Sequence, residues 1–251
     1  MEVEEACELL ASDPARTGIF TDFDGTLAEI VDRPEAARAV DGAAETLEAL
    51  ARRFAVVAVV SGRSLEDLRS RLGCEGVILA GSYGRERSDR RSGRRGTEGW
   101  EPVIAAAAAM TGSLNGVLVE PKGAGVAIHY RSGPEHAAEV RRVARALAGE
   151  FGLEVLHGRL VAELVHPGPK KADAVEAIAA EASLRTLLVA GDDVADAEAF
   201  ERVRASSLRS VLVAVTSEEA PPELAGLADL VVGGPSELVA LLGDIAEHPR
   251  G

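Results

Sequence analysis

The sequence predicts an α/β fold: a doubly wound, mostly parallel, Rossmann-like sheet core with an inserted α+β cap domain. Three features carry this expectation. Phe54 to Val60 (FAVVAVV) and Leu187 to Ala190 (LLVA) are unbroken apolar runs, as strands covered on both faces of a parallel sheet require. Helical periodicity alternates with such runs up to about residue 80 and again after residue 170, the rhythm of β-α-β units. Between these stretches the order changes to α-β-β-α-β-β, which suits a compact antiparallel unit. The core is therefore assigned to residues 1–100 and 169–251, and the cap to residues 101–168.

Taken in order, residues 2–11 read as a short helix closed by Asp13-Pro14, and residues 18–22 as the first strand. Ala43, Leu47, Leu50 and Ala51 fall at helical spacing within 42–53. The strand at 54–60 ends in Ser61-Gly62-Arg63, a helix runs from Leu65 to Leu72, and Val77 to Ala80 forms a third strand. Residues 85–96 (RERSDRRSGRRG) hold six arginines; they read as a solvated hairpin or loop, with a role towards a substrate anion as the alternative. Trp100 reads as a packing anchor between core and insert. The cap then runs through a helix at 101–111, strands at 115–121 and 125–131, a helix at 135–149, and strands at 153–157 and 160–165. Pro167-Gly168-Pro169 is the return linker. A helix from Lys171 to Ala182, a strand at 187–190, a helix through Phe200 and a strand at 211–215 follow. A loop around Pro221-Pro222, a short strand at 230–232 and a helix at 236–247 complete the core.

Ile19 to Leu27 (IFTDFDGTL) organises the rest. An apolar strand ends in Asp22 and Asp24, which leave the same face if the strand geometry persists, and Gly25 permits a sharp turn beyond them. A D-x-D alone fits an Asp-rich turn equally well. Downstream groups decide the matter, because Ser61, Lys171 and Asp192/Asp193/Asp196 also stand where strands of the same sheet end. Several carboxylates brought together call for a hard divalent cation, and oxygen-only ligation points to Mg²⁺. A hydroxyl and an ammonium beside that ion suit phosphoryl oxygens. In this arrangement Asp22 attacks phosphorus and forms an aspartyl-phosphate. Asp24 protonates the leaving oxygen and then takes a proton from water. Ser64 serves the following helix as its cap better than Ser61 does, which leaves Ser61 and Gly62 for phosphate. Lys171 at a helix start opposes the helix dipole, a small cost that favours a functional role.

Composition narrows the partners. A net charge of −14 over 251 residues argues against nucleic acid as a partner, and no apolar run is long enough for a membrane span. The chain starts without a secretory pattern, and Cys7 and Cys74 lie far apart without metal spacing, so a reducing, cytoplasmic location is expected. Of 27 cationic residues only Lys122, Lys170 and Lys171 are lysines, a pattern that singles out places where a compact point charge is useful.

DFDGT at 22–26, Ser61, Lys171 and GDDVAD at 191–196 resemble the four motifs of the haloacid dehalogenase phosphohydrolases. SGR at 61–63, VEPKGAGVAIHYR at 119–131 and GDDVADAEAF at 191–200 are similar to the trehalose-6-phosphate phosphatases. The resemblance implies hydrolysis of a sugar phosphate, trehalose 6-phosphate first, with another sugar phosphate or a catalytically weak sugar-phosphate-binding regulator as alternatives. It implies Mg²⁺ on Asp22, the Asp24 carbonyl and Asp192, with Asp193 and Asp196 in support. It also implies substrate contacts from Arg63 and from the cap residues Glu120, Lys122, His129, Arg131 and Glu163. The chain departs from the family pattern at Gly81-Ser82-Tyr83-Gly84, where Asn-His-Gly is usual. It departs again at Val165-His166-Pro167-Gly168, where Arg-Pro-Pro-Gly is usual, and at Ala172.

Overall fold

The apolar runs form strands whose side chains alternate between two buried layers. The computed structural model describes residues 1–31, 33–90, 99–122, 125–158, 160–217 and 220–249, and the chain divides into two units, Met1–Arg91 with Pro169–Gly251, and Ser92–Gly168. In the first unit the strands are β1 (Thr17–Thr21), β2 (Val56–Val60), β3 (Ile78–Gly81) and β4 (Glu86–Arg87). The second unit carries β5 (Leu118–Lys122), β6 (Gly125–His129), β7 (Glu154–Gly158) and β8 (Val161–Val165), and the first resumes with β9 (Thr186–Gly191), β10 (Arg209–Val215) and β11 (Leu230–Val232). The helices are α1 (Val3–Ala11), α2 (Ala43–Ala51), α3 (Leu65–Leu72), α4 (Glu101–Thr111), α5 (Ala137–Phe151), α6 (Lys171–Glu181), α7 (Val194–Ala205), α8 (Pro222–Leu227) and α9 (Pro235–Glu247).

The core sheet has the order β11-β10-β9-β1-β2-β3-β4. All its pairs are parallel except β3 with β4. Ile19, Val57, Val59, Leu188 and Val213 point into one layer with α1, α2, α3 and α9. Phe20, Ala58, Val60, Leu187 and Val189 point into the other with α6, α7 and α8. That alternation is the two-residue period of a strand with both faces covered. β1 is central, with Thr21 in register with Val59 of β2 on one side and Ala190 of β9 on the other. The chain winds outward from β1 in one direction and later in the other, so the switch point lies at the carboxyl end of β1, where open α/β sheets bind ligands.

The second unit is a four-stranded antiparallel sheet, β5-β6-β8-β7, backed by α4 and α5. Val126, Ile128, Ala162 and Leu164 face those helices in a buried cluster. Glu120, Ala127 and Glu163 lie opposite one another in register and so share the other face. Trp100, expected as a packing anchor, lies in this unit's own apolar cluster. Its ring centroid is 4.6 Å from that of His166, which gives the second sequence departure a packing role.

Two elements fell outside the sequence reading. α8 occupies the stretch read as a loop; Pro222 is its first residue, where a missing N–H costs nothing. β4 is a two-residue edge strand inside the arginine-rich stretch, too short and too charged to show periodicity; residues 91–96 of that stretch lie outside the described residues. Both cysteines are free. Among the described residues no helix is long and apolar enough to cross a membrane.

Candidate active site

Asp22 follows the last residue of β1 and continues its ladder for one bond, its N–H donating to the Ala190 carbonyl at 3.0 Å. Its side chain is buried; Oδ1 accepts from the Phe23 N–H at 2.6 Å, and Oδ2 lies 2.9 Å from Lys171 Nζ. The chain then folds tightly: the Leu27 and Ala28 N–H groups both donate to the Phe23 carbonyl, and Gly25 N–H donates to the Ala28 carbonyl. Gly25 has φ +74°, and a Cβ there would lie 2.0 Å from Asp192 Oδ2. Replacing Gly25 with alanine therefore combines left-handed strain of roughly 1–2 kcal/mol with a collision. Thermal unfolding of Gly25→Ala is expected to show a lowered midpoint; a variant with wild-type stability would contradict this.

Lys171 opens α6 and is buried. Its ammonium lies 2.8 Å from Asp196 Oδ1, 2.9 Å from Asp22 Oδ2 and 3.6 Å from Asp193 Oδ1. Burial opposes its charge, but Asp193, Asp196 and Asp22 raise its pKa well above the ordinary lysine value. Asp193 and Asp196 are also the two halves of a capping box at the start of α7. Asp196 N–H donates to Asp193 Oδ1 at 2.9 Å, and Asp196 Oδ2 accepts from the N–H groups of Asp192 and Asp193 at 3.1 and 3.2 Å. Such boxes satisfy N–H groups that a helix start leaves open.

Asp192, at the end of β9, is placed differently. It accepts from the Thr26 hydroxyl at 3.0 Å. Burial first, then the charges of Asp22 and Asp193, push its pKa up to about 8. Asp22 is raised to about 6, again by burial first, with Lys171 pulling the other way and Asp193 and Asp24 adding to the rise. Among the described residues, Asp22, Asp193 and Asp196 each offer a carboxylate oxygen within 4.8 Å of the others, as a metal site requires.

Asp24 stands beyond the turn with its side chain 43% exposed. Arg63 grips it with two hydrogen bonds, Nε to Oδ2 at 2.7 Å and an Nη to Oδ1 at 2.6 Å, the fork geometry that arginine makes with carboxylates. The same guanidinium donates to Asp67 at 2.6 Å and to the Pro34 carbonyl at 3.1 Å, and lies 5.3 Å from the Phe23 ring centroid. Arg63 is thus engaged on protein partners. Ser61 is buried at the end of β2, its N–H bonded to the Ala80 carbonyl. Ser64 caps α3, accepting from Asp67 N–H, which leaves Ser61 outside the helix.

The structure therefore brings Asp22, Asp193, Asp196 and Lys171 together. Asp192 lies against Gly25 and Asp24 is tied to Arg63. On the second unit, Glu120 pairs with His129 at 2.7 Å and Lys122 forms an ion pair with Glu163, all on the sheet face opposite the helices. Arg131 follows β6. The sequence reading assigned no role to Thr26 or to Asp67. Thr26 lay inside the motif that was read; Asp67 carried only the signature of an acid in the first turn of a helix.

The family model for trehalose-phosphatase matches residues 20–230. The chain belongs to the trehalose-phosphatase family. Over 211 residues it is 37% identical to a trehalose-phosphate phosphatase of Mycobacterium avium, covering 78% of this chain and 54% of that one. It is 40% identical over 206 residues, 75% of its length, to an uncharacterized glycosyl hydrolase of Mycobacterium tuberculosis, of which it covers 15%. The chain thus spans about half the length of the first of these relatives and a small part of the second. Among solved structures, a trehalose-6-phosphate phosphatase related protein superposes with TM-score 0.72 at 26% identity, over 91% of this chain and 96% of that one. A haloacid dehalogenase-like hydrolase from Bacteroides thetaiotaomicron, 17% identical, shares the fold at TM-score 0.65 over 91% of this chain and 99% of that one.

Proposed function

We propose that this chain hydrolyses a sugar phosphate, trehalose 6-phosphate first among candidates, through a phosphoryl group carried transiently on Asp22. The observation that carries the reading is the buried Asp22 carboxylate, 2.9 Å from Lys171 Nζ, at the switch point of a family-matched sheet. Asp22 attacks phosphorus, the bond to the sugar oxygen breaks, and Asp24 gives that oxygen its proton. Asp24 then accepts a proton from the water that attacks phosphorus and releases phosphate, so the cycle closes with Asp22 ionised and Asp24 protonated, as each began. Arg63 occupies one side of each Asp24 oxygen, and the exposed side stays open for this exchange. The Ser61 hydroxyl, the Gly62 N–H and the Lys171 ammonium are the groups that receive phosphoryl oxygens.

The donor set fits a divalent cation, and Mg²⁺ is the natural choice for oxygen-only ligands. Asp22 and Asp192 follow the ends of the paired strands β1 and β9, whereas Asp193 and Asp196 are engaged in the α7 capping box. Asp22 and Asp192, with the Asp24 carbonyl, are therefore the residues proposed to hold the ion, and Asp193 and Asp196 brace them through the α7 cap. When bound, the ion supplies positive charge against the phosphoryl oxygens. The polar face of the second unit, with Glu120, Lys122, His129, Arg131 and Glu163, offers the donors and acceptors that a sugar's hydroxyl groups need. The test is phosphate release from a panel of sugar phosphates, each with Mg²⁺ and with chelator. Release from trehalose 6-phosphate with Mg²⁺ alone is expected, and no release from any member would overturn the reading.

A further inference from the structure

Ser82 and Tyr83 are consecutive non-glycine residues with φ of +50° and +56°, a left-handed pair that a chain keeps only where its surroundings enforce it. Those surroundings are the two elements that carry the phosphate groups. Tyr83 N–H donates to the Ser61 carbonyl at 2.9 Å, and Ser82 N–H donates to the Arg63 carbonyl at 2.7 Å. The Tyr83 ring lies so close over Gly62 that a Cβ there would stand 2.7 Å from its Oη and 2.8 Å from its Cζ. On the far side, a Cβ on Gly84 would fall 2.5 Å from the Ala174 Cβ, and Ala174 lies three residues beyond Lys171, on the same face of α6. Glu86 completes the clasp, its Oε2 accepting from Leu65 N–H at 2.9 Å and from the Ser82 hydroxyl at 3.2 Å. From Ser61 to Leu65 the loop is thus held at every other residue by the segment 82–86.

We propose that the Ser82–Gly84 turn is a positioning device, with Tyr83 as its central residue. It wedges the Ser61-Gly62 loop against the helix that carries Lys171 and so fixes the spacing between hydroxyl and ammonium that a phosphoryl group must bridge. The inference rests on the phosphatase reading above. It assigns a role to one of the stretches where this chain departs from the usual family pattern.

The test compares the inhibition constant of inorganic phosphate, kcat and KM, and the thermal midpoint across four variants. Tyr83→Gly keeps the left-handed turn without strain but removes the ring; phosphate affinity and kcat/KM are expected to fall on the order of tenfold while the midpoint holds or rises. Tyr83→Phe keeps ring and turn and should retain more phosphate affinity than Tyr83→Gly. Gly62→Ala forces its Cβ into Tyr83 and should weaken phosphate binding. With the Tyr83 ring gone the Gly62 Cβ meets no obstacle, so the double variant should lose no more than Tyr83→Gly alone, a non-additivity that general destabilisation does not produce. Unchanged phosphate affinity in Tyr83→Gly would overturn the proposal, as would a loss that merely tracks the midpoint or a double variant whose loss equals the two single losses combined. A wild-type chain that neither binds phosphate nor hydrolyses any sugar phosphate would overturn the phosphatase reading itself, a result seen before any variant is made.

Discussion

Asp22→Asn is expected to abolish phosphate release, by roughly 10⁴- to 10⁶-fold in kcat as for other nucleophile deletions, without unfolding the protein. The carboxamide has nearly the shape of the carboxylate but no anionic oxygen to form the bond to phosphorus. Its remaining carbonyl can still accept from Lys171 or from Phe23 N–H. Stability is expected to move the other way. Folding raises the Asp22 pKa from 3.8 to about 6, so at neutral pH the fold holds a charge that burial opposes. Each unit of such a shift corresponds to about 1.4 kcal/mol. Removing that charge should leave the metal-free midpoint at or above wild type at pH 7. Loss of turnover with a retained midpoint identifies a chemical role; loss of both would make Asp22 a structural residue. A companion measurement separates an enzyme from a phosphorylation switch, which also uses an acidic cluster and a lysine. The enzyme should lose an acid-quenched phosphoryl group from Asp22 within seconds, whereas a switch must hold it.

Why the fold was legible and parts of the site were not follows from what each depends on. Strands β2 and β9 announce themselves because a strand covered on both faces must be apolar at every position. The Ser64 cap is local, so spacing alone locates it. Asp22 and Lys171 could be paired in advance because their motifs fix strand and helix ends that the sheet then brings together. The grip of Arg63 on Asp24, and of Tyr83 on Gly62, joins segments 39 residues or a whole β-α-β turn apart and leaves no periodic trace. Asp193 and Asp196 illustrate a different gap: read as helpers to a metal, they are also helix-capping groups and ion-pair partners of Lys171. One sequence pattern served three physical demands, and only coordinates separate them.

The metal-free protein is expected to lose stability as pH rises from about 4 to about 8, and Mg²⁺ to restore it increasingly over the upper half of that range. Asp22 and Asp192 have folded pKa values of about 6 and about 8 against an ordinary 3.8. Between those limits the folded chain binds more protons than the unfolded one, so the stability of these sites falls with rising pH. Other carboxylates do not counter this. Asp67, Asp89 and Asp173 have lowered pKa values; their contribution is present above about pH 4 and is lost only in more acid solution. A cation on Asp22 and Asp192 replaces the protons that neutral pH removes, so its affinity must climb as those groups ionise. At a hundredfold excess over Kd the stabilisation is about 2.7 kcal/mol, or roughly 5–10 °C for a chain of this size. Differential scanning at pH 5.5 and pH 8, with Mg²⁺ and with chelator, measures the effect directly. Asp192→Asn should flatten the pH dependence and abolish the Mg²⁺ increment at pH 8. An equal increment at both pH values, or one retained in Asp192→Asn, would place the ion away from this pair and remove the basis for the charge arrangement proposed here.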